Sequence, residues 1–226
     1  MQSSSVSDSC EVSEAKMYSL GEELANSITH GIGVVLSIVA LVLLIIRAVD
    51  RAPTNLMTPY LLGFIIYGLS LIVLYAISTL YHAITSPKWK HFFAILDHSA
   101  IYLLIAGSYT ALCLSVLYGR LGWILFGFVW ALAILGIVLY AIYQRRASKI
   151  SMCLYLLMGW LAIFAVVPIY EKLSTLSFCL LCGGGVAYTL GCIFYAMKKI
   201  PWMHPIWHLF VLAGSVLQFF AIYFAI

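Results

Sequence analysis

The chain has 226 residues, of which 64% are apolar and 9% charged, with a formal net charge of +4. A soluble globular domain carries about 25% charged residues; so few charges cannot cover a water-facing surface, and lipid must be the solvent for most of it. The positive balance sits in short connectors, which reads as membrane topology and argues against nucleic acid as a partner.

In chain order, residues 1–26 form a polar tail rich in Ser, Glu and Asp. It lacks the basic start and apolar run of a secretory signal peptide. No cleaved leader is expected, the first membrane helix should act as the insertion signal, and the tail is too short for a folded domain. Seven apolar stretches follow: Ser27–Ile46, Pro59–Leu80, Ile95–Leu117, Leu121–Tyr143, Ile150–Tyr170, Ser174–Met197 and Pro205–Ile226. Each matches the roughly 20 residues that a helix needs to cross a bilayer. The runs are continuously apolar rather than alternating, which excludes a β-barrel. The expected fold class is an all-α membrane protein, with one seven-helix transmembrane domain over 27–226 behind the 1–26 tail.

Lys and Arg in short loops orient such a bundle. The N-terminal side collects eight (Lys16, Lys88, Lys90, Arg145, Arg146, Lys149, Lys198, Lys199) and the opposite side four (Arg47, Arg51, Arg120, Lys172). The bias predicts a cytoplasmic N-terminus and an external C-terminus. Gly183–Gly184–Gly185 in the sixth span allows close helix approach. Cys113, Cys153, Cys179, Cys182 and Cys192 fall inside apolar runs and read as small buried hydrophobes. Cys179 and Cys182 form a CxxC, but far from any other ligand cluster.

Ionisable groups at the bilayer centre cost about 2.5–3.5 kcal/mol on insertion scales, so each one inside a span needs a reason. Threading the chain brings His30, His82, Asp97, His98, His204 and His208 to one depth on the N-terminal face. His204 and His208, four apart, project from one side of a helix, a spacing that lets two imidazoles converge on a tetrahedral metal. Pro205 softens this, because a helix beginning there would leave His204 at its cap. Two histidines make a weak site, and depth selects His82 as the third ligand. Ser78 lies one turn before His82 on the same side, and Asp97 supplies negative charge beside a cation. Three histidines with a fourth position open is the arrangement of catalytic zinc. A single interfacial histidine is more often simply hydrogen-bonded, so the weight rests on the joint set. His91 belongs to the basic loop, and His98 points about 100° away from Asp97. Glu22, Asn26 and Thr29, with His30 beside them, mark the entry of the first span. They either cap a helix start or orient the metal ligands.

Together these residues resemble the haemolysin III group of the progestin and adipoQ receptor superfamily, which includes the adiponectin receptors. The resemblance rests on Glu22, Asn26 and Thr29–His30, on Ser78 with His82, on Asp97–His98–Ser99–Ala100–Ile101, and on His204 with His208; it covers the chain from Glu22 onward. It implies seven helices with a cytoplasmic N-terminus and zinc held by His82, His204 and His208. It further implies that Asp97 holds the reactive water and that Ser78 stands near it. Alkaline ceramidases share a similar Ser, Asp and three-His set, which suggests lipid amide hydrolysis. The long N-terminal region of the eukaryotic receptors is absent, so hormone binding does not carry over. The haemolysin name refers to a cytolytic, pore-forming activity.

The leading expectation is a zinc-dependent hydrolase of a lipid-like amide or ester in a bacterial inner membrane. Asp97 would be its general base, and Ser78 would steady the substrate oxygen. A cytolytic pore and a non-catalytic zinc-containing membrane sensor are the competing classes.

Overall fold

The computed structural model describes residues 18–197 and 199–226, except for the side chain of Arg145. Its helices are α1 (Leu20–Arg51), α2 (Met57–Ala83), α3 (Pro87–Leu114), α4 (Arg120–Tyr143), α5 (Ser148–Trp160), α6 (Val166–Lys172), α7 (Thr175–Ala196) and α8 (Met203–Tyr223). A short 3₁₀ stretch, Leu161–Ala165, joins α5 to α6, and the three pieces together make the fifth of seven membrane-length spans. The described chain is all-helical, as expected. α2 runs through the middle of the bundle, with half of its apolar window buried, and packs on α1 and α3. α1 also packs on α8, which closes the ring.

The helix starts differ from the apolar runs for identifiable reasons. α1 begins at Leu20 rather than Ser27, because Ser19 and Glu22 form a reciprocal capping box. Of the tail expected over 1–26, residues 1–17, with Lys16, lie outside the described residues, as does Lys198; from Leu20 onward the chain is helical. The polar residues that hid these first turns face inward: Glu22, Asn26 and His30 are all buried. α3 starts at Pro87 instead of Ile95, with Pro87 in the first turn, where its missing N–H is not needed. α8 starts at Met203, so His204 is inside the helix rather than at its cap, and Trp202 precedes it in a left-handed conformation (φ 66°).

The break in the fifth span follows from Pro168, which cannot bond the carbonyl of Phe164 and whose ring crowds it. In lipid the freed backbone groups must find partners inside the protein. Tyr109 of α3 supplies one hydroxyl for two of them, accepting from Ala162 N–H at 2.7 Å and donating to Gly159 O at 3.0 Å. Of the cysteines expected to be buried, Cys113 is, whereas Cys153, Cys179 and Cys182 are exposed, Cys182 on the wall of an apolar cavity. A thiol is apolar enough for a lipid-facing surface, so an apolar run alone does not fix which way it points.

Candidate metal centre

α2 and α8 set the centre of the site, because both bring a histidine-bearing turn to the N-terminal face. His82 ends α2, and His204 and His208 occupy the first two turns of α8. All three are buried, and one nitrogen from each lies within 4.8 Å of the others. The Nε2 atoms of His204 and His208 are 3.2 Å apart. Two nitrogens held about 2.0–2.1 Å from a tetrahedral ion lie about 3.3 Å apart, so the pair already has the spacing that such an ion requires.

The neighbours fix which nitrogens are available. Glu23 Oε2 lies 2.6 Å from His82 Nδ1, which makes Nδ1 the donor and leaves Nε2 as a lone-pair ligand. His82 Nε2 has no hydrogen-bond partner among the described residues. A buried imidazole nitrogen left in that state is what a metal site demands. Glu23 is held in turn by Lys90, whose ammonium is 2.8 Å from Oε1. Lys90 also donates to the Tyr81 and Ile84 carbonyls at the end of α2. Asn26 Nδ2 approaches the same His82 nitrogen at 3.4 Å. Glu22 works differently from Glu23. Its Oε2 accepts from Ser19 N and Oγ, each at 2.8 Å, and its Oε1 accepts from Trp202 N–H at 2.8 Å. It therefore both caps α1 and fastens the turn that launches His204.

Tyr18 stacks on His204 with ring centroids 4.6 Å apart. Burial above all, with Tyr81, Tyr195, Glu23 and Asp97 nearby, pushes its phenol above the ordinary range, so it stays protonated. His30 stacks on His208 at 3.6 Å, the planes 15° apart. Ser78 is buried one turn before His82, and its hydroxyl has no partner among the described residues. Asp97 on α3 is 4% exposed and forms the wall of a cavity of about 290 Å³. That cavity is lined by His30 and Asp97 together with Ile101, Ile105, Tyr109, Phe178 and Leu181 among others.

Two residues near the cluster do not join it. Thr29 is half-buried and spends its hydroxyl on the Ala25 carbonyl of its own helix, at 2.6 Å. His98 bonds the Ala94 carbonyl and the Tyr195 hydroxyl and stacks on Tyr140. Sequence reasoning missed Glu23, Lys90 and Tyr18. For Glu23 a signal existed: Glu23, Asn26 and His30 fall at i, i+3 and i+7, the spacing of one helical face.

Among the described residues, seven membrane-length helices and a buried three-histidine cluster able to hold a metal ion define a multi-pass membrane protein with a candidate metal centre. The chain belongs to the haemolysin III family: the pattern described as "Haemolysin-III related" matches residues 18–219. It is 49% identical to "Hemolysin-3" of Bacillus cereus over 203 residues, covering 90% of this chain and 91% of that one. It is 50% identical to "Hemolysin-3 homolog" of Bacillus subtilis (strain 168) over 208 residues, covering 92% and 96%. A more distant similarity, 29% over 168 residues (70% and 68% of the two chains), links it to the human "Monocyte to macrophage differentiation factor". The resemblance read from the motifs and the family found by comparison agree.

Proposed function

We propose that this protein is a zinc-dependent hydrolase of a lipid amide or ester, seated in a bacterial inner membrane with its N-terminus cytoplasmic and its C-terminus outside. The observation that carries the reading is a convergent histidine triad joined, through His30 stacked on His208, to an apolar cavity that has a buried carboxylate on its wall. His82, His204 and His208 would hold the ion, which when bound supplies the Lewis acidity that makes water ionisable near neutral pH. Asp97 takes the proton from the attacking water and returns it to the departing amine or alkoxide. Ser78, whose hydroxyl has no partner among the described residues, donates to the acyl oxygen as negative charge builds there. The aliphatic and aromatic cavity takes the acyl chain, which arrives from lipid between helices and brings little water with it.

The relatives' names point to membrane lysis, and a pore would need a polar path through the bundle. Beyond His30 and Asp97 the cavity wall is mostly aliphatic and aromatic, which favours an acyl chain over a column of water in a single chain. The deciding experiment is elemental analysis of wild type beside His82→Ala and His208→Ala, combined with turnover of a panel of lipid amides and esters. One equivalent of zinc, lost in both variants, with chelator-sensitive hydrolysis, is expected. Stoichiometric zinc without hydrolysis across the panel would sink the enzyme and leave a zinc-containing membrane sensor.

A further inference from the structure

The consecutive glycines of the sixth span, Gly183, Gly184 and Gly185, do not share one task. A Cβ at Gly184 would come within 2.8 Å of Gln218 on α8, so that residue lets the two helices close on each other. A Cβ at Gly183 would make an ordinary 3.7 Å contact with Leu217, and one at Gly185 would meet nothing within 4 Å. Gly185 instead lines the cavity, on the face of α7 that Phe178, Leu181, Cys182, Tyr188 and Cys192 mark at three- and four-residue intervals. The same holds on α5. There Gly159 lines the cavity on the face of Met152, Tyr155 and Leu156, and its Cβ position is equally open. Trp160 Nε1 donates to Thr189 Oγ1 at 3.2 Å, and Thr189 donates to the Gly185 carbonyl at 2.8 Å, so the two glycines lie on neighbouring turns of the two helices.

Glycine is the poorest helix former after proline, and neither of these two has a close neighbour or a positive φ that would require it. What their missing side chains preserve is width in the cavity, whose wall also carries the buried Asp97. Gly185 lies about 15 Å along α7 from Tyr195, and Tyr195 reaches His98, next to Asp97 in the chain, at 3.1 Å. We propose that Gly185, with Gly159 beside it, sets the chain-length specificity of the site. A long acyl chain whose polar head lies at the Asp97 end passes against these glycines, and a larger side chain there would restrict the site to short chains. The proposal takes the acyl chain from the hydrolase reading above, but it concerns how the chain is accommodated and is tested by binding.

The test is equilibrium binding of radiolabelled octanoic and palmitic acids to the purified full chain, with zinc content and melting temperature recorded for each variant. An extended octanoyl chain ends short of Gly185, and a palmitoyl chain passes it. Gly185→Leu should keep its zinc, melt no lower than wild type and bind octanoate as wild type does. Its palmitate affinity should fall by about tenfold or more, the usual cost of forcing atoms into an occupied apolar site. Gly127→Leu on α4, equally free of neighbours but away from the cavity, should bind both acids as wild type does. Wild-type palmitate affinity in a zinc-loaded Gly185→Leu would overturn the proposal. Equal losses for both acids would do the same, as would a wild type that binds neither. Should Gly185→Leu fail to fold, wild type cross-linked to palmitic acid with a diazirine near its terminal carbon decides. Labelling within 156–163 or 181–189 supports the proposal, and labelling confined to other segments refutes it. Chain-length selection without turnover of any amide or ester would remove the hydrolase reading and leave Gly185 its role.

Discussion

Replacing Glu23 with Gln tests whether the neighbours of His82, and not only the three histidines, make the metal site. The carboxylate serves two donors at once, His82 Nδ1–H at 2.6 Å and Lys90 at 2.8 Å. A glutamine has one acceptor oxygen for these two donors, and its NH₂ must then face either the ammonium or the imidazole. If the NH₂ faces the ring, Nδ1 becomes the acceptor and the proton moves to Nε2, the nitrogen needed for the ion. If it faces Lys90, two donors oppose each other. Changes to groups that orient a metal-bound histidine cost about 10- to 100-fold in metal affinity, or roughly 1.4–2.7 kcal/mol. The His82 side chain is fully buried and the Glu23 side chain is 17% exposed, so water cannot easily replace the lost partner, and the upper part of that range is expected. The assay is zinc competition against a chromophoric chelator in detergent, with thermal unfolding recorded alongside. An unchanged zinc affinity in Glu23→Gln at an unchanged melting temperature would refute the tautomer argument.

Asp97→Asn should retain one equivalent of zinc while hydrolysis of a lipid amide falls by at least about 100-fold, the lower end of what a positioned general base contributes; activity and zinc content measured on one preparation decide it. Gly33→Ala should lower stability by about 1–3 kcal/mol, seen as a lower melting temperature, because a Cβ there would sit 2.5 Å from the Tyr75 ring. Tyr109→Phe should lower the melting temperature by an amount worth about 1–3 kcal/mol, since Ala162 N–H and Gly159 O lose their shared partner. Zinc content in that last variant should be unchanged, because the change lies away from the triad.

The seven spans were legible because lipid demands long apolar runs whatever the details of packing, and His82, His204 and His208 were legible because threading gives depth. Direction was harder to read. Nothing in an apolar run distinguishes a buried Cys113 from an exposed Cys179, since lipid and the bundle interior are both apolar. The first two turns of α1 were missed for the opposite reason: Glu22, Glu23 and Asn26 lower the local hydropathy yet turn toward the bundle, where Trp202 N–H donates to Glu22 and His82 and Lys90 donate to Glu23. The two adjacent glutamates do separate jobs, one capping a helix and the other setting a tautomer. Side-chain type alone could not divide the labour, because it depends on the approach of His82 and Trp202 from distant parts of the chain. The break in the fifth span, read from the sequence as one run over Ile150–Tyr170, was also missed, although Pro168 carried the signal: an interior proline strands the carbonyl four residues earlier.

Charge bookkeeping ties these residues to the triad. Glu23 is neutralised by Lys90, whereas Asp97 is 4% exposed and makes no ion pair among the described residues. A buried carboxylate without a counter-ion is expensive, and removing one partner of a buried pair costs about 3–5 kcal/mol. The basic side chain beside the cluster, Lys90, is already engaged by Glu23 and by the carbonyls at the end of α2, so it cannot compensate Asp97 without releasing them. Imidazoles that offer a lone pair to an ion add no charge to it. A divalent cation among them would offset Asp97 and allow all three to keep their lone pairs for coordination. The carboxylate that serves as base in the proposed reaction therefore has an electrostatic reason to share the buried end of the bundle with a cation.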